Sequence, residues 1–175
     1  MRLFVAINLS AKTKDTLISL RDELYKDSVR GSFTVPENMH LTLVFLGECD
    51  AKQAADAKSV INRAVFDPFD ILIERVGRFG RGGNEVIWFA GIRESKPLID
   101  LQRDLAESFT NAGFSLDRRR FSPHITLGRR VVTDAVPRML EPFGEVARKI
   151  DLMKSERLYG KLIYTSIHHK SAQTG

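Results

Sequence analysis

Apolar residues follow two spacings along this chain, one typical of helices and one typical of strands. In three segments they recur every three or four residues after a serine or aspartate that can cap a helix. Elsewhere they form short continuous or alternating runs, which predict strands. The predicted helices are Ala11–Lys26, Asp50–Val65 and Lys96–Ala112. The predicted strands are Arg2–Asn8, His40–Leu46, Phe69–Phe79, Glu85–Ile92, His124–Arg129, Lys149–Leu158 and Lys161–His168, with hairpin turns through residues 80–84 and at Gly160.

The predicted elements repeat when the sequence is shifted by 84 positions. Phe4–Ile7 then falls on Trp88–Gly91, the first helix falls on the third, and His40–Leu43 falls on His124–Leu127. Chance overlap of two strand–helix–strand units would produce a similar pattern. We favour two copies of one α+β unit related by a pseudo-two-fold axis, which would bring equivalent residues face to face.

Composition and length narrow the class of protein. The chain has 175 residues, 43% of them hydrophobic and 28% charged, which is ordinary for a globular domain and excludes disordered, collagen-like and coiled-coil proteins. We expect a single domain over residues 1–175. The net charge of +5 permits an anionic partner. Cys49 is the only cysteine, so a disulfide framework is excluded and a reducing cytoplasm is expected. The apolar runs are too short for a membrane span, and we expect no membrane association.

Two of the four histidines carry a threonine two residues later, in His40-Leu41-Thr42 and His124-Ile125-Thr126. Because strand residues i and i+2 share a face, each histidine and its threonine are expected to line one cleft. A pair of imidazoles can divide the work of general acid and general base, and hydroxyls can bind oxygens that gain negative charge. This set suits cleavage of a phosphodiester. The alternative for a single motif is a strand with one polar face, but the matched pair favours catalysis.

The segments Glu37–Gly47 and Phe121–Arg129 resemble the two signature motifs of the two-histidine phosphoesterase superfamily. The resemblance is closest to the bacterial and archaeal RNA 2′,3′-cyclic phosphodiesterases, also called 2′-5′ RNA ligases, and it covers essentially the whole chain. It implies a bilobal α+β fold in which two antiparallel-sheet lobes, related by a pseudo-two-fold axis, form a central cleft. It also implies metal-independent opening of an RNA 2′,3′-cyclic phosphate to a 2′-phosphate without a cofactor.

The same resemblance implies a role for each site residue. His40 would be the general acid that protonates the 3′ leaving oxygen, and His124 the general base that activates water. Thr42 and Thr126 would bind the non-bridging oxygens. Nothing in the spacing decides which histidine is the acid. The expected partner is RNA ending in a 2′,3′-cyclic phosphate, with tRNA fragments as candidates, and the expected oligomeric state is a monomer.

Basic and aromatic residues near the motifs supply further candidates. Arg129, in a cluster with residues 118–120 and 130, occupies the position where the family carries an arginine, and it is a candidate for binding phosphate. On a regular strand Arg129 would point away from His124, so a bulge near Gly128 would have to redirect it. Phe45 and Phe121 are candidates to stack on a base, although we favour core packing for Phe45.

The sequence also suggests other functions, of which one is rejected and three remain open. Adjacent His168 and His169 suggest a metal site, which we reject because neighbouring strand residues face opposite ways. The reverse reaction, ligation to a 5′-hydroxyl with a 2′-5′ linkage, would use the same residues as hydrolysis. Another 2′-5′ or cyclic phosphodiester is a third possibility. A non-catalytic module that binds RNA ends is a fourth, although binding alone would not require both imidazoles.

Overall fold

The computed structural model of the protein describes residues 1–80 and 86–174. Within these ranges it contains nine strands, three α-helices and one short 3₁₀ helix at Pro36–Asn38. The helices are α1 (Ala11–Lys26), α2 (Ala51–Arg63) and α3 (Lys96–Asn111). The strands are β1 (Arg2–Asn8), β2 (Ser28–Phe33), β3 (His40–Glu48), β4 (Phe69–Phe79), β5 (Ile87–Ile92), β6 (His124–Thr133), β7 (Arg138–Ala147), β8 (Lys149–Leu158) and β9 (Lys161–Ser171).

The strands form two antiparallel sheets, one in each lobe. The first sheet has the order β3-β1-β8-β9 and the second has the order β2-β6-β5-β4-β7. The β1–β3 pair of the first sheet corresponds to the β5–β6 pair of the second, as the internal repeat predicts. The predicted α+β fold with two antiparallel-sheet lobes is confirmed.

The helices join the two lobes. The side chains of Ser10, Asp50 and Ser95 cap α1, α2 and α3 by accepting backbone N–H groups of the first turn, as predicted. Helix α1 follows a strand of the first sheet but packs against β2, β6 and β7 of the second. Helix α3 follows a strand of the second sheet but packs against β3 of the first. Buried residues of both sheets therefore belong to one hydrophobic core.

The structure contains two strands that the sequence pattern does not predict, Ser28–Phe33 and Arg138–Ala147. Both lie at the edges of the second sheet and are largely exposed, so they lack the alternating apolar pattern of half-buried strands. The second contains Pro142, which an edge strand tolerates. The predicted turn at Gly160 is confirmed. The turn predicted through residues 80–84 and the predicted strand start at Glu85 reach outside the described residues.

The repeat is not an unbroken shift of 84 residues. Asn8 lies opposite His40 in the first sheet, whereas Gly91 lies opposite His124 in the second. Under the uniform shift Asn8 would correspond to Ile92, so β1 and β5 are offset by one residue. Because side chains alternate between faces, this offset changes which residues of β5 face the cleft.

Candidate active site

The two motif histidines begin equivalent strands, β3 and β6, and both are half-buried. His40 Nδ1 lies 2.8 Å from the carbonyl oxygen of Asn38, and His124 Nδ1 lies 2.7 Å from that of Ser122. A carbonyl oxygen only accepts, so each Nδ1 carries the hydrogen and each neutral ring keeps Nε2 free to accept a proton. Each ring is thus fixed in the tautomer that acid–base catalysis at Nε2 requires.

The threonines share the histidine faces, as the strand geometry predicts. Thr42 Oγ1 lies 2.9 Å from Nε2 of His40, so its hydroxyl donates to the neutral ring. Thr126 lies two residues beyond His124 on the same strand and is half-buried. One imidazole therefore already has a hydrogen-bond partner at Nε2, whereas none of the described residues occupies Nε2 of His124.

Electrostatics keeps both imidazoles neutral in the free protein. Burial lowers the pKa of His40 from 6.5 to about 4 against the opposing effect of its bond to Asn38, and the Arg129 guanidinium lowers it further. Burial also lowers the pKa of His124, with Arg129 and Arg75 adding to the effect. A charge on His124 also lowers the pKa of His40, so protonation of one ring opposes protonation of the other.

Both motif strands contain a bulge one residue after the threonine. Leu43 is the extra residue of β3 against β1, and Leu127 is the extra residue of β6 against β5. Each bulge carbonyl has a donor from outside its strand pair: Gln102 Nε2 lies 3.3 Å from the oxygen of Leu43, and the Thr34 amide lies 2.9 Å from that of Leu127. The bulges are equivalent features of the two lobes.

Each bulge turns the residue five positions after the histidine to the cleft face. That residue is Phe45 in the first lobe and Arg129 in the second. The Arg129 guanidinium acts on His40, His124 and Tyr164, so it reaches into the cleft. The condition predicted for this orientation, a bulge near Gly128, is met.

The expectation that Phe45 packs in the core is wrong. Its side chain is 47% exposed, and the guanidinium carbon of Arg2 lies 5.0 Å from the centre of its ring. The bulge at Leu43 reverses the alternation that the expectation assumed. Phe121, the other aromatic candidate, is half-buried and packs against the core.

Four aromatic rings that the sequence analysis did not single out surround the histidines. The ring centres of Phe4 and Tyr164 lie 4.9 and 5.2 Å from that of His40. The ring centres of Phe79 and Phe89 lie 5.0 and 5.4 Å from that of His124. Continuous apolar runs such as β1 and β5 do not reveal which residues face the cleft. The only sequence signal that could have indicated them is the alternation of strand positions, counted from the histidines.

The other arginines near the second motif are engaged differently from Arg129. Arg119 forms an ion pair with Asp117, and Arg120 forms one with Glu94. By contrast, none of the carboxylates in residues 1–80 and 86–174 lies within ion-pair distance of Arg129. Of these three arginines, Arg129 is therefore the one that acts on the histidines.

The remaining histidines lie on β9, two strands from β1 in the first sheet. His168 Nε2 lies 2.7 Å from Oδ1 of Asn62 on α2, and His169 is exposed on the edge strand β9. The described part of the chain has no group of three or more histidine, cysteine or acidic side chains placed to hold a metal ion. Among the same residues, no helix is long and apolar enough to cross a membrane.

Comparisons with known proteins agree with this architecture. An RNA 2′,3′-cyclic phosphodiesterase of Archaeoglobus fulgidus is 34% identical over 130 residues, which cover 74% of this chain and 72% of the relative. One of Geobacillus stearothermophilus is 32% identical, but the match covers 73% of this chain and only 41% of that longer relative. The crystal structure of Escherichia coli LigT complexed with 3′-AMP superimposes with a TM-score of 0.84 at 25% identity, over 99% of this chain and 98% of LigT.

A family model supplies the remaining comparison. The model of the 2′-5′ RNA ligase superfamily matches residues 36–152, which include both His-x-Thr motifs and both bulges. The crystal structure of LigT shares this architecture over most of the chain. The chain therefore belongs to the 2′-5′ RNA ligase superfamily.

Proposed function

We propose that this chain hydrolyses the 2′,3′-cyclic phosphate at the end of an RNA to a 2′-phosphomonoester, without a metal ion or cofactor. The observation that carries the proposal is the pair His40 and His124 on equivalent strands, each anchored through Nδ1 and each with its pKa lowered by Arg129. The names of the relatives support the substrate, and the LigT complex with 3′-AMP supports a nucleotide site in this fold.

The mechanism follows from the two Nε2 atoms, of which that of His124 is open and that of His40 accepts a hydrogen bond from Thr42. Nε2 of His124 accepts a proton from water as the water oxygen attacks phosphorus, and the bond between phosphorus and O3′ breaks. Nε2 of His40 gives a proton to O3′, which leaves as a hydroxyl and completes the 2′-phosphomonoester. The hydroxyls of Thr42 and Thr126 donate to the non-bridging oxygens, and Arg129 opposes their negative charge. Proton exchange with solvent restores both rings.

The low pKa of His40 means that this ring must take up a proton before it can act as the general acid. At about 4 in the free protein, that pKa leaves the ring neutral at pH 7. A cyclic phosphate carries one negative charge, which offsets the effect of Arg129 and raises the pKa of both histidines. Substrate binding is therefore coupled to uptake of a proton.

Several features of the substrate and its setting belong to the same proposal. The exposed ring of Phe45 provides a surface on which the terminal base stacks.

tRNA fragments remain the candidate RNA. One chain supplies both histidines, which supports a monomeric enzyme built as one domain over residues 1–175. Its free, buried Cys49 fits the reducing cytoplasm.

The reverse reaction is the second candidate, because the matching family is described as 2′-5′ RNA ligases. A 5′-hydroxyl would then replace water as the nucleophile, and the same two histidines would exchange the same protons. Concentrated water favours hydrolysis when both nucleophiles compete.

The test is incubation of an RNA that ends in a 2′,3′-cyclic phosphate with the protein in excess chelator. We expect the wild type to produce a 2′-phosphate, and we expect His40→Ala and His124→Ala to lose turnover by about 10²- to 10⁴-fold. His168→Ala, which changes a histidine bonded to Asn62 on the helix-covered face of the first sheet, is the matched control and should retain activity. Binding without turnover by the wild type would support the non-catalytic module, and activity lost to chelator and restored by metal would contradict the mechanism.

A further inference from the structure

Arg75, Gly91 and His124 form one row across the second sheet. Arg75 lies opposite Gly91 in the β4–β5 pair, and Gly91 lies opposite His124 in the β5–β6 pair. Residues directly opposite each other in antiparallel strands share a face, so all three face the cleft. Two strand spacings separate Arg75 from His124, about 10 Å between Cα atoms. Because the residue between them is a glycine, the space above it is open to the arginine side chain.

A bulge places Arg75 on this face. Ile71 and Ile73 are fully buried in the core, and regular alternation would direct Arg75 to the same side. Glu74 is an extra residue of β4 against β5, which reverses the alternation. The Arg93 guanidinium holds the displaced Glu74 carboxylate at 2.7 Å. The position of Arg75 is therefore fixed by the strand and does not depend on a flexible loop.

The Arg75 side chain lies across two glycines and beside an aromatic ring. A Cβ atom added at Gly91 would approach Arg75 Nε to 2.7 Å, and one added at Gly77 would approach Nη1 to 2.9 Å. Its guanidinium carbon lies 5.1 Å from the ring centre of Phe89, which contacts His124. No carboxylate of the described residues lies within ion-pair distance of Arg75.

Arg75 and Arg129 occupy different parts of the cleft. Arg129 lies on β6, the strand of His124, and lowers the pKa of His40, His124 and Tyr164, which come from both lobes. Of these three groups, Arg75 acts on His124 alone. One guanidinium thus belongs to the strand of His124, and the second belongs to β4, two strands away within the second lobe.

We propose that Arg75 binds the phosphate on the 5′ side of the terminal nucleoside, one nucleotide from the reacting cyclic phosphate. The inference rests on the proposed function, which places the cyclic phosphate between the histidines beside Arg129. An RNA substrate brings a second phosphate to the cleft, and an arginine without a carboxylate partner is suited to bind it through paired N–H groups. A nucleoside 2′,3′-cyclic phosphate without a 5′-phosphate lacks this contact.

The test compares three substrates with the same base: a nucleoside 2′,3′-cyclic phosphate, its 5′-phosphorylated form, and a dinucleotide ending in the cyclic phosphate. In the wild type we expect kcat/KM to be higher for the two substrates that carry the 5′ phosphate. In Arg75→Gln the ratio of kcat/KM with and without this phosphate should fall about tenfold, as expected for a lost charge-assisted hydrogen bond. Arg78→Gln is the matched control, because Arg78 lies on the same strand over Trp88 and is exposed.

The possible failures are distinguishable. If Arg75→Gln lost the same activity on all three substrates, Arg75 would act on the reacting phosphate or on His124, and the inference would be overturned. If the ratio of kcat/KM with and without the 5′ phosphate were unchanged in Arg75→Gln, Arg75 would not contact this phosphate, and the inference would also be overturned. Both outcomes leave the proposed function standing. If the wild type hydrolyses none of the substrates, the proposed function fails, and calorimetric binding of a nucleoside 2′-phosphate and of its 2′,5′-bisphosphate still tests Arg75. The inference then requires that the second phosphate strengthen binding to the wild type and not to Arg75→Gln.

Discussion

His40 in the first lobe and His124 in the second lie on equivalent strands, but their surroundings differ. Around His40, the Thr42 hydroxyl already occupies Nε2. The neighbouring residue across the sheet is Asn8, whose side-chain amide donates to Asp151 at 3.2 Å, and that carboxylate is 1% exposed. The residue redirected by the bulge is the aromatic Phe45.

Around His124 the corresponding positions are open or cationic. Nε2 has no partner among the described residues, the neighbour across the sheet is Gly91, and Arg75 lies over that glycine. The residue redirected by the bulge is Arg129. The second lobe thus presents Arg75 and Arg129 around its histidine, whereas the first lobe presents an aromatic ring, with the Arg2 guanidinium against it, and an amide.

The comparison separates what the lobes share from what each contributes. Both supply an anchored imidazole and a hydroxyl, and both use a bulge to bring a further side chain to the cleft. Acid–base chemistry needs these features twice. A nucleotide end has an aromatic base and anionic phosphates, which require different contacts. We infer that the first lobe binds mainly the base and the second mainly the phosphates.

Apart from changes to the histidines, the single substitution that lowers activity most should lie in the second lobe. Arg129→Gln removes the charge that has the largest effect on the pKa of both imidazoles and should lower kcat/KM by about 10²- to 10³-fold on every substrate. Steady-state kinetics would measure the loss. Arg130→Gln, at an exposed arginine next in the strand, is the control. Equal losses in both variants would mean that bulk charge matters and the position of Arg129 does not.

A change in the first lobe should act on binding instead. Phe45→Ala removes the stacking surface and should raise KM about tenfold, because a stacked base contributes roughly 1–3 kcal/mol. The value of kcat should change only a few-fold. Phe45→Tyr keeps the ring and should restore KM. A fall in kcat at constant KM would assign Phe45 to the chemical step and break the division between the lobes.

The pH dependence should differ between free and substrate-bound enzyme. Burial lowers the pKa of both histidines, to about 4 for His40, so the bell-shaped profile of kcat/KM should have its optimum below pH 6.5. The anionic substrate raises both values, so the optimum of kcat should lie at higher pH. Arg129→Gln should move the kcat/KM optimum upward. Coincident optima at or above pH 7 would contradict the electrostatic account.

The smallest effect concerns folding stability. Between pH 6.5 and about 4 the unfolded chain binds a proton at His40 that the folded protein excludes, so the free energy of unfolding falls as the pH falls. The shift corresponds to a loss of at most roughly 3 kcal/mol. Urea denaturation at pH 7 and pH 4.5 would measure it. The loss should be smaller in His40→Gln and unchanged in His169→Gln, and identical losses in all three proteins would refute the assignment.

The sequence predicts the parts of the site that depend on local spacing. The His-x-Thr pairs, the helix caps and the two-lobe fold follow from periodicity, internal repetition and family resemblance, and the structure and comparisons confirm the fold and the family. The orientations of Phe45 and Arg75 do not follow, because bulges at Leu43 and Glu74 reverse the alternation that sequence patterns assume. A bulge depends on pairing with a distant strand, which a single sequence does not show.

The two edge strands of the second sheet show another reason why part of the fold could not be predicted from the sequence. Ser28–Phe33 and Arg138–Ala147 are held by pairing with β6 and β4, and their own residues are mostly exposed. Their apolar pattern is therefore weak. The one-residue offset between β1 and β5 has the same origin, since register is set by the partner strand.

The most direct test of the central claim is a double-mutant cycle on His40 and His124, with cleavage of a cyclic-phosphate RNA measured under single-turnover conditions in chelator. If the two imidazoles act as one acid–base unit, each alanine variant alone loses nearly the whole enhancement, and the double variant loses little more than either single variant. Losses that multiply in the double variant, or a single variant that retains activity, would show that the histidines act independently and would contradict the account.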